Sequence, residues 1–344
     1  MQFLKPNINV DFISKRNYAF VFSAVLLLGS IAVLWLKGGP RYGIDFSGGT
    51  LIQVKFTSQV QIADVHKGLS MADLSVSTVQ SFGEAKDNEF LIRIDQSLEA
   101  TTDLGSNTSN QLKQATGVDN EIRRIEIVGP QVGKDLKEKA LLSIFYSLLF
   151  ITIYISGRFE YKWILSGVVG AILFAGVYFL SLFHMGIVFL IASALVISLA
   201  IFWFLNLKYA IGAVVALIHD VLITVGVFAI FDKEFSLPVI AALLTILGYS
   251  LNDTIIVYDR IRENLSKSSK GLFPELINRS INETLSRTIL TGGCTLVMVL
   301  ALFIFGGTII HDFSFAMLVG IIVGTYSSIY VASPILLIGY HDKK

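Results

Sequence analysis

Asp253 and Arg287 place an acid and a base inside two consecutive apolar runs, 237–258 and 284–305. An ionised side chain at the centre of a membrane helix costs about 2.5–3.5 kcal/mol on insertion scales. Keeping both has a physical rationale if they pair, line a wet path or exchange protons. Asp253 lies a little over one turn inside one end of its run, and Arg287 about one turn inside the facing end of the next. On adjacent antiparallel helices the two side chains sit at similar depth and could meet. Burial disfavours the carboxylate's charge and a neighbouring guanidinium favours it. A group held near that balance can load and release protons. Asp253 is too short to reach the interface, whereas Arg287 can snorkel and could be only an anchor.

Further polar features interrupt the apolar runs. Tyr249, Asn252 and Asp253 share one helical face within Gly248-Tyr249-Ser250-Leu251-Asn252-Asp253-Thr254, because residues three and four apart lie together on a helix. Thr284, Arg287, Thr288, Thr291 and Thr295 form a second stripe at that spacing. His219 and Asp220 stand together with Thr224 one turn on, and Thr325-Tyr326-Ser327-Ser328 follows Gly320 and Gly324. His219 and Asp220 are either a hydrogen-bonded packing pair or a route for protons. The Thr and Ser stripes, and Gly320 with Gly324, read first as packing between helices. Outside the apolar runs, Gly43, Asp45, Gly48 and Gly49 lie in the turn Arg41–Thr50, which reads as docking a domain on the membrane. Glycine permits turn geometries closed to other residues. No Gly-Lys-Ser/Thr follows, so it is no phosphate loop. The single cysteine, Cys294, offers neither a disulfide nor a metal site. With no nucleophile arrangement, zinc spacing or nucleotide loop, the reading is of a non-enzyme without cofactor or metal, driven by an ion gradient if it does work.

These residues need a membrane-embedded scaffold. Of 344 residues, 53% are hydrophobic and 15% charged, against about 25% charged in a soluble chain. The net charge of +1 gives no bulk attraction for nucleic acid. A membrane-spanning helix takes about 20 apolar residues. Eight runs qualify or nearly so: 18–36, 140–156, 163–183, 186–207, 209–231, 237–258, 284–305 and 313–340. The first exceeds the apolar core of a signal peptide and ends in Leu34-Trp35-Leu36-Lys37, a poor cleavage site. It reads as a retained anchor. Lys and Arg of the short loops concentrate on the side of the N-terminus, including Lys5, Lys15, Arg16, Arg158, Lys162, Lys208, Arg260, Arg262, Lys267, Lys270, Arg279, Lys343 and Lys344. The positive-inside rule then puts both termini in the cytoplasm and residues 38–136 outside. The division is a 1–37 terminus and first helix, the 38–136 outer domain, a 137–340 bundle and a 341–344 tail.

The outer domain alternates in the order β-α-β-β-α-β: strand 51–56, helix 59–69, strands 75–82 and 89–95 around the 83–88 turn, helix 99–116 and strand 121–128. That order predicts a ferredoxin-like α+β domain beside an α-helical polytopic bundle.

In combination these residues resemble the SecF family, accessory subunits of the bacterial Sec protein translocase. The resemblance is carried by Gly43-Ile44-Asp45-Phe46-Ser47-Gly48-Gly49, Val128-Gly129-Pro130-Gln131-Val132-Gly133 and Ala216-Leu217-Ile218-His219-Asp220-Val221. It continues in Gly248–Thr254, Val257-Tyr258-Asp259-Arg260-Ile261-Arg262-Glu263-Asn264, Arg287-Thr288, Phe305-Gly306-Gly307 and Gly324-Thr325-Tyr326-Ser327-Ser328. The resemblance implies a fold like the RND superfamily and a bacterial inner-membrane location. It implies the partners SecD, the SecYEG channel and YajC, and an emerging preprotein pulled outward by the proton motive force. The family's membrane Asp maps onto Asp253 and its paired Arg onto Arg287. One departure stands out: after Arg158-Phe159-Glu160-Tyr161, two extra spans within 163–207 precede the return of the family pattern at Tyr209. Two other readings stay open: an RND-like proton-coupled exporter of a lipid or small molecule, and a scaffold whose polar residues only lock helices.

Overall fold

The computed structural model describes residues 9–71, 76–82, 87–94, 104–181, 187–267 and 272–338. The expectations placed on Lys5, Lys270, Lys343 and Lys344, on 83–86 of the hairpin turn and on 99–103 of the second helix lie outside these residues. Helix α1 (Arg16–Leu36) buries only Ala19, Ser23 and Ser30. After a short α2 (Ile44–Ser47) come β1 (Gly49–Phe56), α3 (Ile62–Met71), β2 (Val76–Phe82), β3 (Glu89–Ile94), α4 (Leu104–Thr116) and β4 (Asn120–Val128). The strands form one antiparallel sheet in the order β2-β3-β1-β4. Alternate side chains of a strand face the same way. Ile52 and Val54 therefore stand beside Ile92 and Phe90, and Val65, Leu69 and Leu112 of the two helices cover them. The Ser- and Asn-rich stretch of α4 is helical despite weak propensity, because Thr108 and Leu112, one turn apart, are buried.

The sheet is held to the bundle through the glycine turn. Gly43 N–H donates to Phe235 O (2.9 Å), and Phe235 N–H donates to Arg41 O (2.7 Å). Asp45 Oδ2 accepts from Leu237 N–H (2.9 Å), satisfying a free donor at the start of a helix. Arg93 on β3 donates to Tyr42 O and Ser47 Oγ, both at 2.8 Å. Gly48 has φ +74°, and a Cβ there would lie 2.9 Å from Pro130 Cα. Gly117 has φ +70° with open space around it. Gly48→Ala should therefore lose stability by about 1–3 kcal/mol from strain plus a backbone clash, and Gly117→Ala by strain alone. Thermal unfolding of the purified variants in detergent checks this; equal losses in both would contradict the docking clash.

The bundle consists of α5 (Pro130–Glu160), α6 (Trp163–Ser181), α7 (Ile187–Phe204), α8 (Lys208–Ile230), α9 (Leu237–Lys267), α10 (Phe273–Phe305) and α11 (Gly307–Ser327). A π-helical turn, Ser328–Ala332, and a short α12 (Ser333–Ile335) follow. Among the described residues, six helices are long and apolar enough to cross a membrane: α1, α5, α8, α9, α10 and the continuous stretch Ile310–Ile335. Helices α6 and α7 are apolar but shorter, with 19 and 18 residues. At 1.5 Å per residue these reach about 27–28 Å. They dock on α5 through small residues. The Trp163 ring lies against Gly157, Ile153 lies against Gly170, and Lys162 Nζ donates to Leu205 O (2.8 Å) across the hairpin's base.

Helix α9 is central, packing on α5, α8, α10 and α11. Gly320 and Gly324 let α11 approach it: a Cβ on Gly320 would fall 2.3 Å from Ile246, and one on Gly324 2.9 Å from Ser250. At one end, Glu283 of α10 accepts from Arg260 Nε (2.5 Å) and Asn264 Nδ2 (2.7 Å) of α9. Asn278 and Asn282 of α10 bind the backbone of the segment before α1: Asn278 Oδ1 accepts from Phe12 N–H (2.8 Å) and Asn282 Oδ1 from Val10 N–H (2.8 Å). Helices α9 and α10, which carry Asp253 and Arg287, are thus fixed to each other one turn from Arg287.

Candidate functional site

The α9–α10 contact buries a carboxyl group that no hydrogen bond satisfies. Asp253 is 1% exposed, and neither of its oxygens has a partner. Thr288 Oγ1 on α10 is also buried without a partner, and Tyr249 Oη, one turn away on α9, is buried near Thr295. Buried polar atoms in native proteins are nearly always paired, so a cluster without partners marks a place where water, a proton or another polar group belongs. Arg287 acts electrostatically on Asp253. Yet no ion pair within 4.0 Å joins the two among the described residues, and Arg287 is exposed on the outer surface of α10. The expected face-to-face pair is therefore a looser arrangement: a buried carboxyl with the arginine at its rim.

The face predicted for Asn252 differs from the observed one. Asn252 is exposed, because a 100° step per residue turns it away from Asp253 toward the outside of the bundle. Thr291 is exposed as well, its hydroxyl donating to Arg287 O (2.9 Å) within its own helix. Asn252, Arg287 and Thr291 are thus outward polar positions of α9 and α10. Asp253, Tyr249 and Thr288 belong to the interior.

His219 and Asp220 belong to a second, fully bonded network. Asp220 is 0% exposed. Its Oδ1 is 3.0 Å from His219 Nδ1, and its Oδ2 accepts from Ser250 Oγ (2.6 Å) and Ser327 Oγ (2.8 Å). With a carboxylate as acceptor, Nδ1 carries the ring proton. His219 Nε2 then lies 3.1 Å from Ser23 Oγ, which is 3.1 Å from Tyr326 Oη, and Tyr326 Oη donates to Ala19 O (2.9 Å). The network joins α1, α8, α9 and α11 just where α11 passes into its π-helical turn. There Tyr258 Oη donates to Ala332 O (3.0 Å). Ser23 is the member that sequence reasoning missed. Its signal was present but faint: Ser23 and Ser30 are small, seven residues apart and the buried polar positions of α1.

The docking residues Gly43, Asp45, Gly48 and Gly49 lie apart from both networks, where the sheet meets the starts of α5 and α9. Among the described residues no group of three or more His, Cys, Asp or Glu is placed to hold a metal ion.

The family model for "Protein export membrane protein SecD/SecF, C-terminal" matches residues 108–185 and 176–342, and that for "SecD/SecF GG Motif" matches 33–60. The two C-terminal segments meet inside the α6–α7 hairpin. A protein translocase subunit SecF of Vibrio alginolyticus is 40% identical over 339 residues, covering 98% of this chain and 91% of that protein. That of Magnetococcus marinus is 39% identical over 340 residues, covering 98% and 93%. The crystal structure of SecDF, a translocon-associated membrane protein, from Thermus thermophilus is similar with a TM-score of 0.70 and 29% identity. The match covers 98% of this chain and 39% of that one, so the chain corresponds to well under half of the solved molecule. The family-model matches over 33–60, 108–185 and 176–342, with relatives about 40% identical over nearly the whole chain, leave one assignment: the chain belongs to the SecD/SecF family of protein export membrane proteins.

Proposed function

We propose that this chain is an auxiliary subunit of the Sec protein translocase which, together with SecD, uses the proton motive force to complete the outward movement of a preprotein. The observation that carries this reading is Asp253, a carboxyl buried between two membrane helices with both oxygens unpartnered. A resident structural carboxylate would have its hydrogen bonds made, as Asp220 does. One that exchanges a proton must be free to change charge, and the nearby Arg287 supplies the counter-charge when it does. The resemblance supports the same two residues.

Two outward polar residues support the partnership with SecD. Asn252 and Arg287 are exposed on α9 and α10, inside runs that read as membrane-spanning. Polar groups facing hydrocarbon are costly, so a partner helix covering this face would relieve both. In this reading all eight apolar helices cross the inner membrane, with both termini cytoplasmic. The β-α-β-β-α-β domain, ferredoxin-like in strand order, lies outside beside the emerging chain. SecYEG and YajC are the further partners implied by the family.

The test is preprotein export into inverted inner-membrane vesicles containing this chain and SecD. Collapsing the proton gradient with an ionophore should remove the contribution of this chain, leaving only the ATP-driven component. Equal stimulation with and without the gradient would refute gradient coupling. Gradient-dependent transport of a lipid or small molecule without the Sec channel would favour an exporter instead.

A further inference from the structure

An apolar slot lies between α1 and α8, away from the Asp253 cluster. One wall is the face of α1 from Phe20 to Leu27, and the other is the face of α8 from Val215 to Leu222. Contributions at three-and-four spacing over seven residues make the slot follow the helix axes for about 10 Å. Val331 and Ile335 of the π-helical turn and α12 are buried beneath it. Leu199, from the α6–α7 hairpin, and the exposed Ala24 stand at its edge. The cavity volume is about 310 Å³.

What fills this slot follows from its chemistry. An apolar cavity of about 150 Å³ takes up a benzene molecule and stays dry, and this one is about twice as large. Its polar lining atoms, Ser23 Oγ and His219 Nε2, are turned to each other at 3.1 Å. They do not supply the several partners that a buried water needs. The slot is near mid-membrane, since His219 is the twelfth of the 23 residues of α8. The medium that reaches its open edge is hydrocarbon.

We propose that the slot is a lipid site that holds one acyl chain of a membrane phospholipid, lying along α1 and α8 and closed on one side by the inserted hairpin. The chain wedges α1 against α8 beside the buried His219–Asp220 network.

The experiment uses the full chain reconstituted in phosphatidylcholine vesicles carrying a trace of phosphatidylcholine with a mid-chain diazirine. After irradiation, labelled residues are mapped by peptide mass spectrometry. Label is expected on Ile218, Leu222 and Val331 inside the slot, as well as on the outward Val21, Phe22 and Val25. Label confined to the outward residues overturns the proposal. Leu222→Trp fills the slot and should abolish labelling of Ile218 and Val331 while Phe22 and Val25 stay labelled. Persistent slot labelling overturns it. Should Leu222→Trp fail to fold, Ala24→Trp at the edge makes the same prediction. Slot labelling in the isolated chain that vanishes when the chain is labelled in its native assembly would show that a partner's helix, not lipid, occupies the slot.

Discussion

Asp253→Asn is expected to abolish the gradient-dependent part of export while leaving the chain folded and assembled. The substitution preserves shape and removes the ability to change charge. Both carboxyl oxygens lack hydrogen-bond partners, so no native bond is broken. Loss of a buried charge without bonded partners is neutral or stabilising. Thermal unfolding in detergent should therefore match or exceed that of the parent, and co-purification with SecD should be unchanged. In vesicles, export with ATP alone should persist, and the extra export on imposing a proton gradient should vanish. A scaffold role predicts the reverse: weaker folding or partner binding, with coupling intact in whatever assembles. Full gradient-dependent export in this variant would falsify the proton-coupling role of Asp253. Asn252→Ala is the matched control. It lies next in sequence but on the outward face, so its effect should fall on partner binding.

The residues most legible in the sequence were those that membrane energetics penalises. Asp253 stood out because a short acid in an apolar run has few benign explanations. The strands of the outer domain were legible because β1 alternates from Thr50 to Phe56 between buried and partly exposed positions. Less legible was which side of a helix each polar residue would face. Asn252 and Asp253 are neighbours in sequence, and only the packing of α8, α10 and α11 around α9 decides that one is outside and the other inside. Arg287 was legible as a charge but not as a rim residue, for its long side chain permits either placement. The Asp220 network was half legible. His219 and Asp220 are conspicuous, but Ser23, Ser250 and Ser327 come from helices far apart in the chain. A serine within an apolar helix does not announce its partner. The hairpin α6–α7 was legible as two apolar helices, but that it walls a slot against α1 depends on packing alone.

Asp220→Ala should destabilise the chain as severely as any substitution in the bundle. It removes the acceptor for His219, Ser250 and Ser327 together, and all four side chains are buried. Deleting one member of a buried bonded set costs about 3–5 kcal/mol, since the remaining groups keep their desolvation cost without their bonds. A large fall in the unfolding temperature in detergent, with loss of the chain from membranes, is the expected result. Asp220→Asn keeps one oxygen as acceptor and should fall less. The decisive variant replaces the whole set: Asp220→Leu with His219→Phe, Ser250→Ala and Ser327→Ala. Replacing all partners by apolar groups of similar shape can be nearly neutral, so this variant should regain most of the stability that Asp220→Ala loses. Its export activity then separates the two readings open for His219 and Asp220. Recovery of gradient-dependent export along with stability makes the network a lock that fixes α8, α9 and α11 around Asp253. Recovery of stability without export makes it part of the proton's route, joined to Asp253 through Ser250, one turn away on α9.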